Sequence, residues 1–439
     1  MGLKRLSALP LAAILACASP APPAAPEPRT MDSIAEQYVK LVLAAGRHDA
    51  DLVDAYYGPA EWKAAAEAAT VPLPELKTRV AALIAATEAR RPHPAAAIEE
   101  IHFLRHAYLL RQLQALAARL DMLSGARLSF DEESRALYDA VAPHRPAEHF
   151  EAVLAELAPR VPGDGPLPQR VEAFRQRFAI PREKLDAVFR AAIDECRPRT
   201  LAHVELPSGE SFRVEYVTGR AWSGYNWYQG GFHSLIQVNT ELPIFIDRAI
   251  DLACHEGYPG HHVYNALLEA RLVRERGWVE HSVYNLFSPQ SLIAEGTANF
   301  GIEVVFPGAE RIAFERERLF PLAGLDPAQA AEYYGVQQLL QRLSYAGNQA
   351  ARRYLDGAFT AEQAADWLVR YTLVSPERAK QRVAFFDKYR SYVINYNLGQ
   401  DLVREHVEAQ GGTADRPDVR WRVFTELLSS PRLPSDLER

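Results

Sequence analysis

The chain has 439 residues, 49 Lys and Arg against 56 Asp and Glu, and a formal net charge of −7, so it lacks the basic surface that phosphate backbones attract and no nucleic acid is expected as a partner. With 48% hydrophobic and 24% charged residues, it has the composition of a globular protein with a large core, which excludes a mostly disordered or collagen-like chain. The three cysteines, Cys17, Cys196 and Cys254, exclude a disulfide framework and leave at most one bridge, Cys196 to Cys254.

Lys4 and Arg5 precede an apolar run over residues 6–16, the charged and hydrophobic regions of a secretory signal. The run is too short to span a membrane. Ile14-Leu15-Ala16-Cys17 resembles a bacterial lipobox, with Cys17 lipidated as the mature N-terminus, although Leu15 stands where a small residue is usual. Ala16-Cys17-Ala18 also reads as a cleavage site of the A-x-A kind. Either route exports the protein to the periplasm or cell envelope; acylation would tie it to the membrane. Residues 1–17 are therefore assigned to the signal peptide and 18–30 to a Pro/Ala-rich, semi-rigid linker. No later segment has the length and polarity of a transmembrane helix.

Residues 31–200 read as an N-terminal helical region. Ile34, Tyr38, Leu41 and Val42 fall on one helical stripe, and Leu76, Val80, Leu83 and Ile84 repeat it. Residues 98–123 form a long helix closed by Ser124-Gly125. Residues 201–439 form the second region. It opens with strand-like runs at 212–217 and 235–239, punctuated by Gly219, Gly224, Gly230 and Gly231, and turns helical again after Thr240. The expected fold is mostly α (α+β), helical and bundle-like, with one small antiparallel or mixed sheet ahead of the helix that begins after Thr240.

The chemistry concentrates in His255-Glu256-Gly257-Tyr258-Pro259-Gly260-His261-His262, which holds three of the 13 histidines. Imidazole is a common zinc ligand, and a Glu directly after the first ligand is placed to act as a general base toward a water at the metal. In H-E-x-x-H the two histidines share one helix face, but here Pro259 stands at the second position. In a regular helix His261 would point about 120° away from His255, and His262 would align but lie roughly 10 Å along the axis. Pro259 lacks an amide hydrogen and Gly260 tolerates unusual dihedrals, so a widened or broken turn is expected. With two residues looped out, His261 becomes the second ligand; His262 is held as the alternative.

A catalytic zinc usually takes three protein ligands and keeps one position open. Ser288-Pro289 is a helix start, and the helix it opens carries Glu295 as the third candidate, with Gly296 and Ala298 leaving room for close packing. A His-Glu helix followed by a helix donating Glu is the gluzincin arrangement, and Ala294-Glu295-Gly296-Thr297-Ala298 resembles the glutamate motif of that clan. Asn299 and Asp251, one turn from Glu295 and His255, are candidates to support the ligands from behind.

HEGYPGHH, AEGTANF and the Tyr-rich C-terminal helices together resemble the bacterial family called domain of unknown function 885. The resemblance covers about residues 211–398 well and the N-terminal helices only in general character. It implies an exported or lipid-anchored protein with a zinc-peptidase-like fold, and says little about substrate.

Other residues were weighed for the same site. His102 and His106 have i, i+4 spacing but no His-Glu pair, so ordinary packing is expected of them. His233 and His281 are candidates for substrate contact or for plain surface. The aromatic segment 222–228 is read as core before recognition surface. Residues 235–239 are the candidate edge strand for a peptide substrate, with Gln237 and Asn239 as its polar contacts. Tyr389, Arg390, Tyr392, Tyr396 and Asn397 cluster near one helix end. Of these, Tyr392 and Tyr396 are candidates for oxyanion stabilisation and Arg390 for substrate binding.

The function expected from these residues is a zinc-dependent metallopeptidase of the cell envelope. It carries one Zn2+ per chain on His255, His261 and Glu295, with Glu256 as base and a peptide as substrate. The alternatives are an envelope scaffold or binding lipoprotein with a structural metal, and a zinc amidase or esterase.

Overall fold

The computed structural model describes residues 30–93, 99–220 and 222–437. The expected signal peptide, Cys17, the linker up to residue 29 and Ile98 lie outside the described residues. The fold is 66% helical with sheets of two and three strands, and one continuous hydrophobic core runs through it from Ile34 to Leu437. No helix among the described residues is long and apolar enough to cross a membrane.

The helical stripes are buried where the period places them. The first helix, Met31–Ala45, buries Ile34, Tyr38, Leu41 and Val42, and Thr30 caps its start by accepting from the Ser33 amide. Helix Leu73–Glu88 buries Leu76, Val80 and Leu83. The long helix Glu100–Leu123 ends at Ser124, and Gly125 takes φ +99°, a conformation that favours glycine.

Two sheets form where one was expected. Strand β1 (Val53–Tyr56) and strand β5 (Val283–Asn285) pair antiparallel. β1 is short and half-buried, which leaves no clean alternation to detect. The other sheet joins β2 (Ser211–Val217), β3 (Gly224–Gly230) and β4 (His233–Asn239). Its order is β2-β4-β3, with β2·β4 parallel and β3·β4 antiparallel. β4 is therefore the central strand, and the expectation that 235–239 is an edge is corrected. Both sides of its backbone are paired, because the chain passes from β2 to β3 and returns to insert β4 between them. The edge strand of this sheet that borders the cavity is β3, through Gly224, Tyr225 and Asn226.

The Glu295 helix, Pro289–Val305, is buried along its whole length except at Asn299 and Glu303. Pro289 opens it as expected, but the Ser288 hydroxyl donates to the Asn285 carbonyl at 2.7 Å instead of capping the helix. The helix is held by close backbone approach. A Cβ on Gly296 would lie 2.5 Å from the Gly399 carbonyl carbon and oxygen, so helix Ile394–Ala409 packs directly against it. A Cβ on Gly301 would lie 2.9 Å from Pro259 Cγ, which seats the histidine segment on the same helix.

Gly296→Ala should destabilise the protein by about 1–3 kcal/mol, because backbone rather than a movable side chain blocks the added methyl. Urea denaturation followed by circular dichroism measures this, and an unchanged midpoint would show that the two helices can part without loss.

Candidate metal centre

The segment around Pro259 folds back on itself. Ala253–Gly257 forms a π-helical turn, the Tyr258–Pro259 bond is cis, and a new helix begins at His261. The Gly260 amide donates to the Cys254 carbonyl at 2.9 Å. A Cβ at residue 260 would lie 1.8 Å from the His255 carbonyl oxygen, so only glycine fits. This is the widened, broken turn expected from Pro259 and Gly260, and it brings His261 beside His255.

The structure brings His255, His261 and Glu295 together, with ligand atoms all within 4.8 Å of one another. His255 Nε2 lies 3.1 Å from His261 Nε2 and 3.3 Å from Glu295 Oε2, and His261 Nε2 lies 3.7 Å from that same oxygen. A tetrahedral metal with ligand bonds of about 2.0–2.1 Å separates its ligands by about 3.3 Å. Glu295 Oε2 is buried and makes no hydrogen bond, an orphan that a cation would satisfy. A metal ion fits these three residues.

The atoms behind the ligands fix which lone pairs face inward. Asn299 Nδ2 donates to the Tyr396 carbonyl at 3.0 Å, which turns Asn299 Oδ1 toward His255 Nδ1, also at 3.0 Å. Nδ1 must then carry the proton, leaving Nε2 with its lone pair toward the centre. The Tyr392 hydroxyl donates to Glu295 Oε1 at 2.8 Å, leaving Oε2 for the metal. Burial alone would raise the Glu295 pKa, but the adjacent imidazoles of His255 and His261 overcome it and hold the carboxyl well below the usual range. It is ionised at neutral pH.

Glu256 is buried, lines the same cavity and stands outside the triad. Its carbonyl accepts from Asn226 Nδ2 at 2.7 Å, and its Oε1 would be 2.8 Å from a Cβ on Gly224 of β3, so the bare glycine makes room for the carboxylate. Tyr396 also lines the cavity with 38% of its surface exposed.

Several candidates stand elsewhere. His262 is fully buried and points away: its Nδ1 meets Ser234 Oγ and its Nε2 meets Glu210 Oε2, both at 2.9 Å. Burial would raise Glu210, yet His262, Tyr258 and Arg197 lower it to about 2, which marks a structural ion pair. Asp251 lines the cavity but binds Arg248 at 3.1 Å and Arg311 at 2.8 Å, so it supports arginines and not His255. Arg390 pairs with Glu133 at 2.6 Å, outside the cavity lining. Gln237 also lies outside that lining, bonded to Trp227 at 3.1 Å and Glu215 at 3.2 Å. Asn239 does border the cavity, but its amide is spent on the Arg220 and Trp222 carbonyls at 2.9 and 3.0 Å. A substrate role for these three has no geometry behind it.

His106 bonds the Thr87 carbonyl at 2.8 Å, His102 packs on Trp278, and His233 bonds Ser211. His281 is neither surface nor site: it is buried, stacked on Tyr108, and pushed down to about 3 by burial. Cys196 and Cys254 are buried and free. Within the aromatic segment, Trp222 and Tyr225 border the cavity, Tyr228 is core and Trp227 is exposed.

Asp54 escaped the sequence reading. It comes from β1, lines the cavity and accepts from the Tyr225 hydroxyl. Burial raises its pKa from 3.8 to about 7; His261 opposes the shift, while the charges of Glu295 and Glu256 add to it. No motif announces it, since the turn between the first helix and β1 carries no spacing tied to metal chemistry.

The cavity in front of these residues has a volume of about 1390 Å3, large for a small-molecule pocket. No family model matches the chain, and no curated protein matches it. Among solved structures, it resembles a protein of Colwellia psychrerythraea described as a "putative lipoprotein", with 16% identity and a TM-score of 0.50 over 93% of this chain and 75% of the other. At that identity the likeness concerns the fold. A structure described as CHT aligns at 10% identity and a TM-score of 0.40 over 91% of this chain and 90% of the other.

Two outcomes follow. The protein should bind one divalent ion per chain, lost in His255→Ala and Glu295→Ala, weakened about 10–100-fold in Asn299→Ala and unchanged in His102→Ala; elemental analysis after dialysis decides, and full occupancy in the first two variants would discard the triad. For Asp54, the folded chain holds the proton more tightly than the unfolded chain. The resulting stability is complete below about pH 4 and lost as pH rises through about 7. Metal-free wild type should therefore lose stability relative to Asp54→Asn over that interval, by on the order of a few kcal/mol. Parallel urea melts that keep a constant difference would refute this.

Proposed function

We propose that the protein is a zinc-dependent peptidase of the bacterial cell envelope. The observation that carries this reading is Glu256, a buried carboxylate on the cavity wall, next in sequence to a triad residue and outside the triad. A purely structural metal site is closed by its ligands and has no use for a base beside it. The borderline-soft donor set of two imidazoles and a carboxylate suits zinc. The resemblance of HEGYPGHH and AEGTANF to the domain of unknown function 885 family supports the same reading. The lipobox-like Ile14-Leu15-Ala16-Cys17 and a structural neighbour described as a lipoprotein favour an envelope location.

His255, His261 and Glu295 would hold the zinc ion, which when bound would supply Lewis-acid polarisation of a water and of the scissile carbonyl. The chain supplies the rest. Glu256 accepts the proton of the attacking water and delivers it to the leaving amine, so one carboxylate serves both steps. The Tyr396 hydroxyl has no hydrogen-bond partner among the described residues and faces the cavity, so it donates to the carbonyl oxygen as negative charge develops there. Tyr392, spent on Glu295, positions that ligand and does not serve as an oxyanion donor. Asn299 holds His255 in the ligating tautomer.

Glu256→Gln keeps size and polarity and removes the basic carboxylate. Peptide turnover should fall by about 10²–10⁴ at equal zinc content, measured on a mixed peptide library with cleavage sites read by mass spectrometry. Equal cleavage by both proteins would remove Glu256 from the mechanism. No cleavage by wild type would favour the scaffold or the amidase and esterase alternatives.

A further inference from the structure

Arginine lines the cavity at eight positions. Five of these, Arg248, Arg311, Arg342, Arg404 and Arg420, each lie within 3.9 Å of a carboxylate. The remaining three, Arg175, Arg378 and Arg382, have no ion-pair partner among the described residues. Arg175 stacks over Phe245 at 4.3 Å, and its Nε is buried without a hydrogen bond. Arg378 donates only to the Pro243 carbonyl, at 3.0 Å. Arg382 has no hydrogen bond, and its guanidinium lies against the bare backbone of Gly347, 3.1 Å from where a Cβ would stand. It is an exposed residue whose exposed surface borders the cavity.

The local sequence makes this grouping unfavourable for stability. Arg378 and Arg382 are four residues apart on helix Pro376–Tyr389, so two like charges share one helix face. Arg378 also sits in the first turn, where the partial positive charge of the helix end disfavours a cation. Desolvation lowers the pKa of Arg378, the charges of Arg175, Arg248 and Arg382 push the same way, and Glu172 opposes them. A positive stretch of cavity wall, built against these penalties and left without an ion-pair partner, is suited to a ligand that brings its own negative charge.

The positive end is connected to the metal end. Tyr392 donates to Glu295, the Tyr392 and Tyr396 rings are 5.8 Å apart, and Tyr396 and Arg382 line the same cavity. A ligand running along that wall meets the triad at one end and free guanidinium groups at the other. A planar carboxylate matches the guanidinium fork in a bidentate manner.

We infer that Arg382, with Arg378 and Arg175, forms a subsite for the free α-carboxylate of a peptide substrate, so that the enzyme trims peptides from their C-terminal end. This inference rests on the peptidase reading for its catalytic consequence, while the subsite itself is a binding property. The chemistry selects a terminal carboxylate and disfavours its amide, which carries no charge.

The test uses the zinc-loaded full chain carrying Glu256→Gln, which holds ligand without turning it over, and measures binding by calorimetry. The probes are acetyl-Phe-Ala-Ala with a free carboxylate, its C-terminal amide, acetyl-Phe-Ala-Glu-amide, and inorganic phosphate. The free acid should bind at least about tenfold more tightly than its amide, as expected for a charge-assisted pair. Adding Arg382→Met should bring acid and amide to within about twofold, and Arg382→Lys should restore part of the difference. Arg382 makes no hydrogen bond, so its replacement leaves the fold intact, which circular dichroism verifies. Equal binding of acid and amide, or a preference that survives Arg175→Met, Arg378→Met and Arg382→Met together, would overturn the subsite. So would phosphate or the side-chain carboxylate binding as tightly as the free acid with the same dependence on Arg382. Cleavage by the unsubstituted protein separates the two claims. Peptides cleaved with no preference for a free C-terminus refute the subsite and leave the peptidase standing. No cleavage, with an Arg382-dependent preference for the acid, does the reverse.

Discussion

The site depends on the contact between Gly260 and the carbonyl of His255. A Cβ at residue 260 would stand 1.8 Å from that oxygen and 2.5 Å from the carbonyl oxygen of Cys254, so the chain doubles back more tightly than any side chain permits. Without that approach, His261 would lie on another face of a continuous helix. With it, two imidazoles six residues apart present Nε2 atoms 3.1 Å from each other. The π-helical turn at Ala253–Gly257 and the Pro259 ring seated against Gly301 hold the same bend from either side. The third ligand depends on the same kind of contact, because the Gly296 and Gly399 backbones touch and thereby place Tyr392 over Glu295.

Much of this was legible because it is local. Histidine beside glutamate, a proline and a glycine before the next histidine, and a Ser-Pro helix start ahead of Glu295 are all short-range signals, and each implies its geometry through backbone chemistry. The amphipathic stripes of the first helices were legible for the same reason: period and burial coincide at Ile34, Tyr38 and Leu76. Asn299, one turn beyond Glu295, was found by helical spacing alone.

What stayed hidden is non-local. β4 looks like an edge until it is seen inserted between β2 and β3, and strand order is not written in the alternation of a seven-residue run. Gln237 and Asn239 were chosen on that edge and lost their role with it. Arg390 sits beside Tyr392 and Tyr396 in sequence, but at φ +53° it turns away from the cavity and pairs with Glu133. Asp54 is separated from the histidines by most of the N-terminal half and reaches the cavity only because β1 pairs with β5, immediately ahead of the Glu295 helix. His262, adjacent to a ligand, is taken by Glu210, which no motif connects to it.

The charges of the cavity divide by position. Asp54, Glu256 and Glu295 gather around the triad, where burial and the charges of Glu295 and Glu256 raise the proton affinity of Asp54. The unpaired guanidinium groups of Arg175, Arg378 and Arg382 border another part of the same cavity. Opposite charges this abundant could have neutralised each other in direct salt bridges, as Arg404 does with Glu303 and Arg311 does with Asp251. Keeping them apart leaves charge uncompensated at both places, which is unfavourable for the protein alone. A metal ion at the triad would compensate the one and an anionic ligand at the guanidinium groups the other, with the ligand's uncharged middle lying between them.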